Sequence, residues 1–236
     1  MGHKKLIRFA ELNTFPNVLQ YPKDTAGNWQ SFFKNSHPIT LELACGKGEY
    51  AVGLGRMFPG RNFIGIDQKG NRIWAGAKKA LAEQLNNVAF LRSQIDFVRE
   101  YFGKDEVDEI WITFPDPQLR LSKARKRLTH PKFLRLYQQF LRPGGYIHLK
   151  TDSPDLYRFT LLVTGMYGCK VHTASDDILR QADVKEELKI KTYYESLDIA
   201  GSNRIHYICF SLPEQLPGRE LDTVLKEKCG ETDGTD

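Results

Sequence analysis

Long apolar runs are missing from this 236-residue chain: nothing in it reaches the roughly 18 consecutive apolar residues that a membrane-spanning helix requires, so no membrane association is expected. The amino-terminal stretch MGHKKLIRFAELNTF begins basic but lacks both an apolar core and a small-residue cleavage site, which argues against a secretion signal. Cysteine is scarce. Cys45, Cys169, Cys209 and Cys229 are scattered, with no CxxC pair and no local histidine, so neither a disulfide framework nor a metal site is expected and a reducing, cytoplasmic setting fits best. No internal repeat is visible. Acid, too, is missing locally: from Pro117 to Thr151 there is no Asp or Glu against nine Lys or Arg, whereas Pro213 to Asp236 carries seven acids against three bases. A merely solvated helix face mixes both signs. The basic zone, set on a chain of net charge only +5, is therefore expected to meet a polyanion, and a nucleic acid suits it.

Short β-rich runs occur at Thr40–Cys45, Asn62–Asp67, Asn87–Arg92, Glu109–Phe114, Tyr146–Lys150, Cys169–Thr173 and Ile205–Leu212. Helical periodicity separates the early ones, at Tyr50–Met57, Arg72–Leu85, Ile95–Phe102 and Phe133–Leu141, with Pro143-Gly144-Gly145 turning the chain into the next strand. Such alternation predicts a Rossmann-like α/β fold, a seven-stranded, mostly parallel sheet with helices on both faces. Residues 39–212 would form this domain. Residues 1–38, poor in strand character, would be an N-terminal arm, and 213–236 a polar tail whose last eight residues are disordered.

The first run leads into Glu42-Leu43-Ala44-Cys45-Gly46-Lys47-Gly48-Glu49 and a helix. Gly46 and Gly48 permit a tight turn and a close ligand approach, although any strand–helix turn could use glycine. Asp67 follows Gly46 by 21 residues, at the end of the second run, where nucleotide-binding sheets place a ribose-binding carboxylate; alone it could equally cap a helix. A dinucleotide would need a third glycine and a helix terminus open to pyrophosphate. Glu49 and Glu42 would repel pyrophosphate but suit the ammonium and sulfonium of S-adenosylmethionine. Gln94, at the end of the third run, could offer its amide to an adenine.

Carboxyl ends of parallel strands are where open sheets bind ligands, and the fourth run ends in Pro115-Asp116-Pro117. Proline on both sides leaves Asp116 few backbone conformers, so its carboxylate can be aimed; the alternative is a cap for a following helix. At this point the sequence resembles the bacterial tRNA (guanine-N7-)-methyltransferases (the TrmB family). The resemblance is carried by LELACGKGEY, FIGID, TFPDP with the basic Arg125-Lys126-Arg127, LRPGGYIHLKTDS, Thr192-Tyr193-Tyr194-Glu195 and the arm FAELNTFPNVLQYP. It implies a class I S-adenosylmethionine-dependent fold, with Glu42, Asp67, Gln94 and Asp116 lining the cofactor. It further implies that Asp116 is catalytic and that Arg120, Asp152, Thr192 and Glu195 meet the substrate guanosine or its surroundings. Gln118 departs from the family, which usually has Trp there; Arg120 and Gln94 stand where Lys and Asp or Asn are common.

Guanine N7 carries a free lone pair, so its methylation releases no proton and needs no general base. Asp116 is expected instead to accept hydrogen bonds from the base and to balance the positive charge that develops on it. A base in folded tRNA must be unstacked first, which calls for phosphate anchors; Lys123, Arg125, Lys126 and Arg127 are the candidates. Two other readings stay open on residues alone. An amino-group methyltransferase of adenine or cytosine would share Asp116-Pro117 but lacks here the second proline and stacking aromatic. A non-catalytic RNA-binding relative would be expected to have lost the acids and glycines of the cofactor turn. The protein itself is expected to act on tRNA as a monomer or homodimer.

Overall fold

The computed structural model describes residues 2–197, 201 and 203–232. Eight strands form one sheet in the order β1-β4-β3-β2-β5-β6-β8-β7. They are β1 (Val18–Gln20), β2 (Ile39–Leu43), β3 (Asn62–Asp67), β4 (Val88–Arg92), β5 (Val107–Thr113), β6 (Leu141–Thr151), β7 (Lys170–Ser175) and β8 (His206–Ser211). β1 to β6 pair in parallel, while β8 runs antiparallel between β6 and β7. The expected mostly parallel sheet is therefore present, with one strand more than the seven expected.

The extra strand comes from the segment thought to lack strand character. Val18, Leu19 and Gln20 register against Phe90, Leu91 and Arg92. A three-residue strand is too short to show alternation, so only its tertiary partner defines it. Two helices frame it, α1 (Gly2–Leu12) and α2 (Trp29–Phe33). Trp29 is buried and its indole N–H donates to the Tyr101 carbonyl at 2.7 Å, which fixes this segment to the sheet's flank.

Strand alternation divides the core in two. On β5, Ile110 and Ile112 point into one apolar cluster and Trp111 into the other. The first cluster packs against α2, α5 (Pro131–Tyr137), α6 (Pro154–Met166) and α7 (Glu220–Thr232). The second lies under α1, α3 (Glu49–Met57) and α4 (Gly70–Ala82). Each fully buried Leu, Ile or Phe in these layers contributes about 1.5–3 kcal/mol.

Three local expectations are corrected. Ile95–Tyr101 is a 3₁₀ rather than an α-helix, and its buried residues, Val98 and Tyr101, are three apart, the spacing that eclipses on that helix. α5 stops at Tyr137 and β6 already begins at Leu141, because Phe140 is drawn into the core ahead of the Pro-Gly-Gly turn. The tail is not loose where it is described: Glu220–Thr232 form α7, burying Leu225 and Cys229. Asp222 there accepts from Arg135 (2.7 and 2.9 Å) and from the Tyr167 hydroxyl (2.6 Å). Of the eight residues expected to be disordered, 229–232 lie in this helix and 233–236 are outside the described residues. No disulfide joins the cysteines among the described residues, and no helix among them is long and apolar enough to cross a membrane.

Candidate active site

β2 and β5 are neighbours in the sheet, with β3 and β4 on one side and β6 on the other, so the strand order reverses between them. Crevices at such a reversal are where open α/β sheets bind ligands. A cleft of about 1090 Å³ opens there, lined by residues that include Asp67, Gln94, Asp116, Asp152, Lys126 and Tyr194. Five predicted residues, Asp67, Gln94, Asp116, Lys126 and Asp152, thus meet around one cavity.

The glycine turn lies beside the cleft and lines it through Ala44, while Gly46 and Gly48 are not among the lining residues. Ala44, Gly46 and Gly48 all have positive φ (55°, 57° and 71°), reversing the chain from β2 into α3. A Cβ on Gly48 would lie 2.3 Å from the buried Phe90 ring, so both conformation and space demand glycine. Asp67 stabilises the turn from β3: Oδ2 accepts from the Gly46 amide (3.1 Å) and Oδ1 from the Lys69 backbone amide (2.7 Å). A carboxylate has about four acceptor sites, so Asp67 retains capacity for two ligand hydroxyls. Gln94 is exposed at the mouth of the cleft, its side-chain amide without a partner among the described residues.

Glu42 is not in the wall but beneath it, 2% exposed. Its carboxyl accepts from the Ala51 amide (2.8 Å) and lies 3.2 Å from the Thr113 hydroxyl. Burial, outweighing the Ala51 hydrogen bond and reinforced by nearby Glu49, raises its pKa to about 8.

Opposite stands the Pro115–Pro117 loop. Phe114 and Gln118, which flank it, both have positive φ (45° and 50°). The Phe114 amide donates to the Lys150 carbonyl at 2.8 Å, tying the loop to the end of β6. Asp116 is exposed in the cleft; Oδ1 accepts from the Gln118 amide at 3.0 Å and Oδ2 has no partner among the described residues. It caps no helix: the next element is the 3₁₀ helix Leu121–Lys126, whose N-cap position is held by Arg120. Asp152 is likewise spared from capping, because Ser153 performs that role for α6, accepting from the Leu156 amide at 3.2 Å.

Several expectations change. Thr192 and Glu195 do not line the cleft. The Glu195 amide donates to Thr192 Oγ1 (3.0 Å), and the Glu195 carboxylate receives the fully buried Lys150 ammonium (2.9 Å). Their neighbour Tyr194 faces the cleft instead, against Gly46 and with the Arg72 guanidinium 5.4 Å from its ring centroid. Tyr194 and Arg72 were legible only in part: the first sits inside a quoted motif, the second one turn after Asp67.

Arg127 also departs from its expected place on a phosphate. It is 5% exposed, and its guanidinium donates to the carbonyls of Pro117, Gln118 and Leu119. The basic zone as a whole is acid-free in sequence but not in space. Lys132 pairs with Asp96, Arg135 with Asp222, Arg142 with Asp108 and Lys150 with Glu195. Arg120, Lys123, Arg125 and Lys126 remain exposed on the cleft's basic side, with no carboxylate partner among the described residues. They are the surface on which a polyanion can exchange counterions for contacts.

Residues 36–205 match a family model described as "Putative methyltransferase". A tRNA (guanine-N(7)-)-methyltransferase of Porphyromonas gingivalis (strain ATCC BAA-308 / W83) is 50% identical over 215 residues, covering 86% of this chain and 87% of that protein. Another, from Bacteroides thetaiotaomicron, is 45% identical over 235 residues, covering 96% and 92%. Among solved structures, the 30S ribosomal A1408 methyltransferase of an uncultured bacterium superposes with a TM-score of 0.59 at 16% identity, covering 83% of this chain and 98% of that one. At that identity the likeness speaks for the fold alone.

Proposed function

The chain belongs to the tRNA (guanine-N(7)-)-methyltransferase family, and we propose that it transfers a methyl group from S-adenosylmethionine to N7 of a guanine in a tRNA variable loop. The observation that carries this reading is the placement of Asp116, an exposed carboxylate held by its own loop in a cleft with the glycine turn and Asp67 opposite.

The cleft's donor set fits S-adenosylmethionine. Asp67 has acceptor capacity left for the ribose hydroxyls, Gln94 offers an amide for the adenine, and Gly46 and Gly48 keep the turn clear of side chains. Glu42, beneath the turn with its pKa raised to about 8, ionises when an ammonium group is seated above it and then balances that charge. When bound, S-adenosylmethionine supplies an electrophilic methyl group on a sulfonium centre.

Asp116 then works on the base. Its carboxylate accepts from guanine N1–H and the exocyclic amine, which orients N7, and its charge counters the cation that methylation leaves on the ring. No side chain has to remove a proton, and no histidine lines the cleft. Asp152 stands on the same cleft and acts with Asp116 on the guanosine, while Arg120, Lys123, Arg125 and Lys126 hold the RNA backbone. Lys126 reaches both surfaces, since it also lines the cleft. A tRNA substrate and cysteines that form no disulfide support a reducing, cytoplasmic setting.

The deciding experiment is product analysis. Purified protein, bulk tRNA and S-adenosylmethionine should yield 7-methylguanosine, and bulk tRNA from a strain lacking the protein should be deficient in it. N6-methyladenosine as the product would replace this reading with the amino-group one. Asp116→Asn should retain S-adenosylmethionine binding and lose turnover by two orders of magnitude or more.

A further inference from the structure

We infer that Arg127 is a positioning residue that holds the Asp116 loop in its working conformation, rather than a contact to RNA phosphate. Its role rests on the reading of Asp116 given above. Arg127 Nε is shared between the carbonyls of Pro117 (3.2 Å) and Gln118 (3.2 Å), and Nη2 donates to that of Leu119 (3.3 Å). The guanidinium carbon lies 4.5 Å from the Phe159 ring centroid, so α6 supplies a flat floor for the group. A charge this deeply buried persists only where hydrogen bonds replace its water, and three successive carbonyls do so here. Nothing in the arrangement leaves the guanidinium turned towards solvent where a phosphate would lie.

The consequence reaches Asp116 through a single residue. Gln118 has φ +50°, a left-handed conformation that a non-glycine residue adopts only when its surroundings impose it. Its amide donates to Asp116 Oδ1 and its carbonyl accepts from Arg127 Nε, so the residue is gripped at both ends. Without the second grip, Gln118 relaxes to negative φ, its amide swings away, and the carboxylate loses the hydrogen bond that aims it. The planar fork matters: lysine retains the charge but cannot serve three carbonyls in one plane.

The same residue joins grip and catalysis mechanically. The Arg127 amide donates to the Ala124 carbonyl (3.0 Å), and its own carbonyl accepts from the His130 amide (2.9 Å). The segment bearing Arg120, Lys123, Arg125 and Lys126 is therefore closed at one end by the residue that clamps the other. Force from RNA on those cations acts on the backbone that presents Asp116.

Full-length wild type, Arg127→Met and Arg127→Lys decide the matter. Three quantities are read: the single-turnover methylation rate at saturating tRNA and S-adenosylmethionine, the slope of log Kd for tRNA against log salt, and amide exchange of residues 116–120. Both variants should lose on the order of 100-fold in rate, the usual penalty of a misplaced reacting group. Both should exchange faster at residues 118–120, and both should keep the wild-type salt slope. A slope shallower by roughly 0.7–0.9 with the rate retained would show a phosphate contact and overturn the proposal. A wild-type rate and slope together would overturn it equally. Should Arg127→Met not fold, Arg127→Lys decides alone, because a wild-type rate from that cation would refute the need for the fork. A wild-type protein that makes no 7-methylguanosine would instead remove the functional reading, while the exchange data would still report whether Arg127 clamps the loop.

Discussion

The Lys150 ammonium lies 2.9 Å from the Glu195 carboxylate and is wholly buried, although β6 delivers it to the cleft end of the sheet. It also donates to the carbonyls of Leu188 (2.9 Å) and Ile190 (3.0 Å), so one cation fastens the whole segment from 188 to 195. Tyr194 rides on that segment and walls the cleft. Lys150→Met removes the cation and leaves a carboxylate with little solvent, which should cost about 3–5 kcal/mol. Thermal melting should show the loss, and amide exchange should accelerate first at residues 188–195. An unchanged exchange pattern there would mean that the segment is held by its apolar packing.

Glu42 makes a pH-dependent prediction. Its folded pKa of about 8 lies above that of the unfolded chain, near 4.5, so between those values the native state binds the extra proton. Stability should therefore fall as pH rises from about 4.5 to 8, and Glu42→Gln should flatten that slope. A cationic ligand seated above Glu42 favours its ionised form. Binding of S-adenosylmethionine at pH 7 should release up to about one proton, measured by calorimetry in buffers of different ionisation enthalpy.

Glu109 governs the acid side. Burial would raise its pKa, but His148, with Nε2 at 3.1 Å, together with Arg61 and the Trp111 indole, outweighs burial and brings it to about 2. Here the folded pKa lies below the unfolded one, so the stabilisation is complete above about pH 4.5 and is lost as pH falls towards 2. Up to ~3 kcal/mol is at stake. Acid unfolding of Glu109→Gln should lack this limb.

The cations of the basic zone should separate into two groups. Reversing Arg125 and Lys126 to Glu should weaken tRNA binding at least tenfold and lower the salt slope by roughly 0.7–0.9 per lost phosphate. Arg135→Ala should leave that slope alone and instead lower stability by about 1–3 kcal/mol, since its charge is spent on Asp222 and the carbonyls of Pro217 and Gly218. Filter binding across salt, paired with melting curves, tests both.

Gly48→Ala is expected to damage the cofactor turn and the core together. The added methyl meets the Phe90 ring at 2.3 Å, and that ring is already enclosed by Gly65 and Gly76. Overpacking and the left-handed φ together cost about 2–5 kcal/mol, so Tm should drop by on the order of 10 °C. S-adenosylmethionine affinity should fall with it.

What the sequence by itself determined is everything governed by rules acting over a few residues. Strand alternation, the Gly46–Gly48 turn, Asp67 at a strand end and Asp116 between prolines are all local, and the sheet's parallel order carries them to one cleft. Tertiary structure alone decided which charges remain available. Lys132, Arg135 and Lys150 find acids 36, 87 and 45 residues away, and Arg127 disappears into its own loop. A β-strand three residues long and a helix within the polar tail were equally hidden, since each exists only through its partner. Electrostatic pairing depends on distance in space, and a linear count of lysines and arginines contains no such distances.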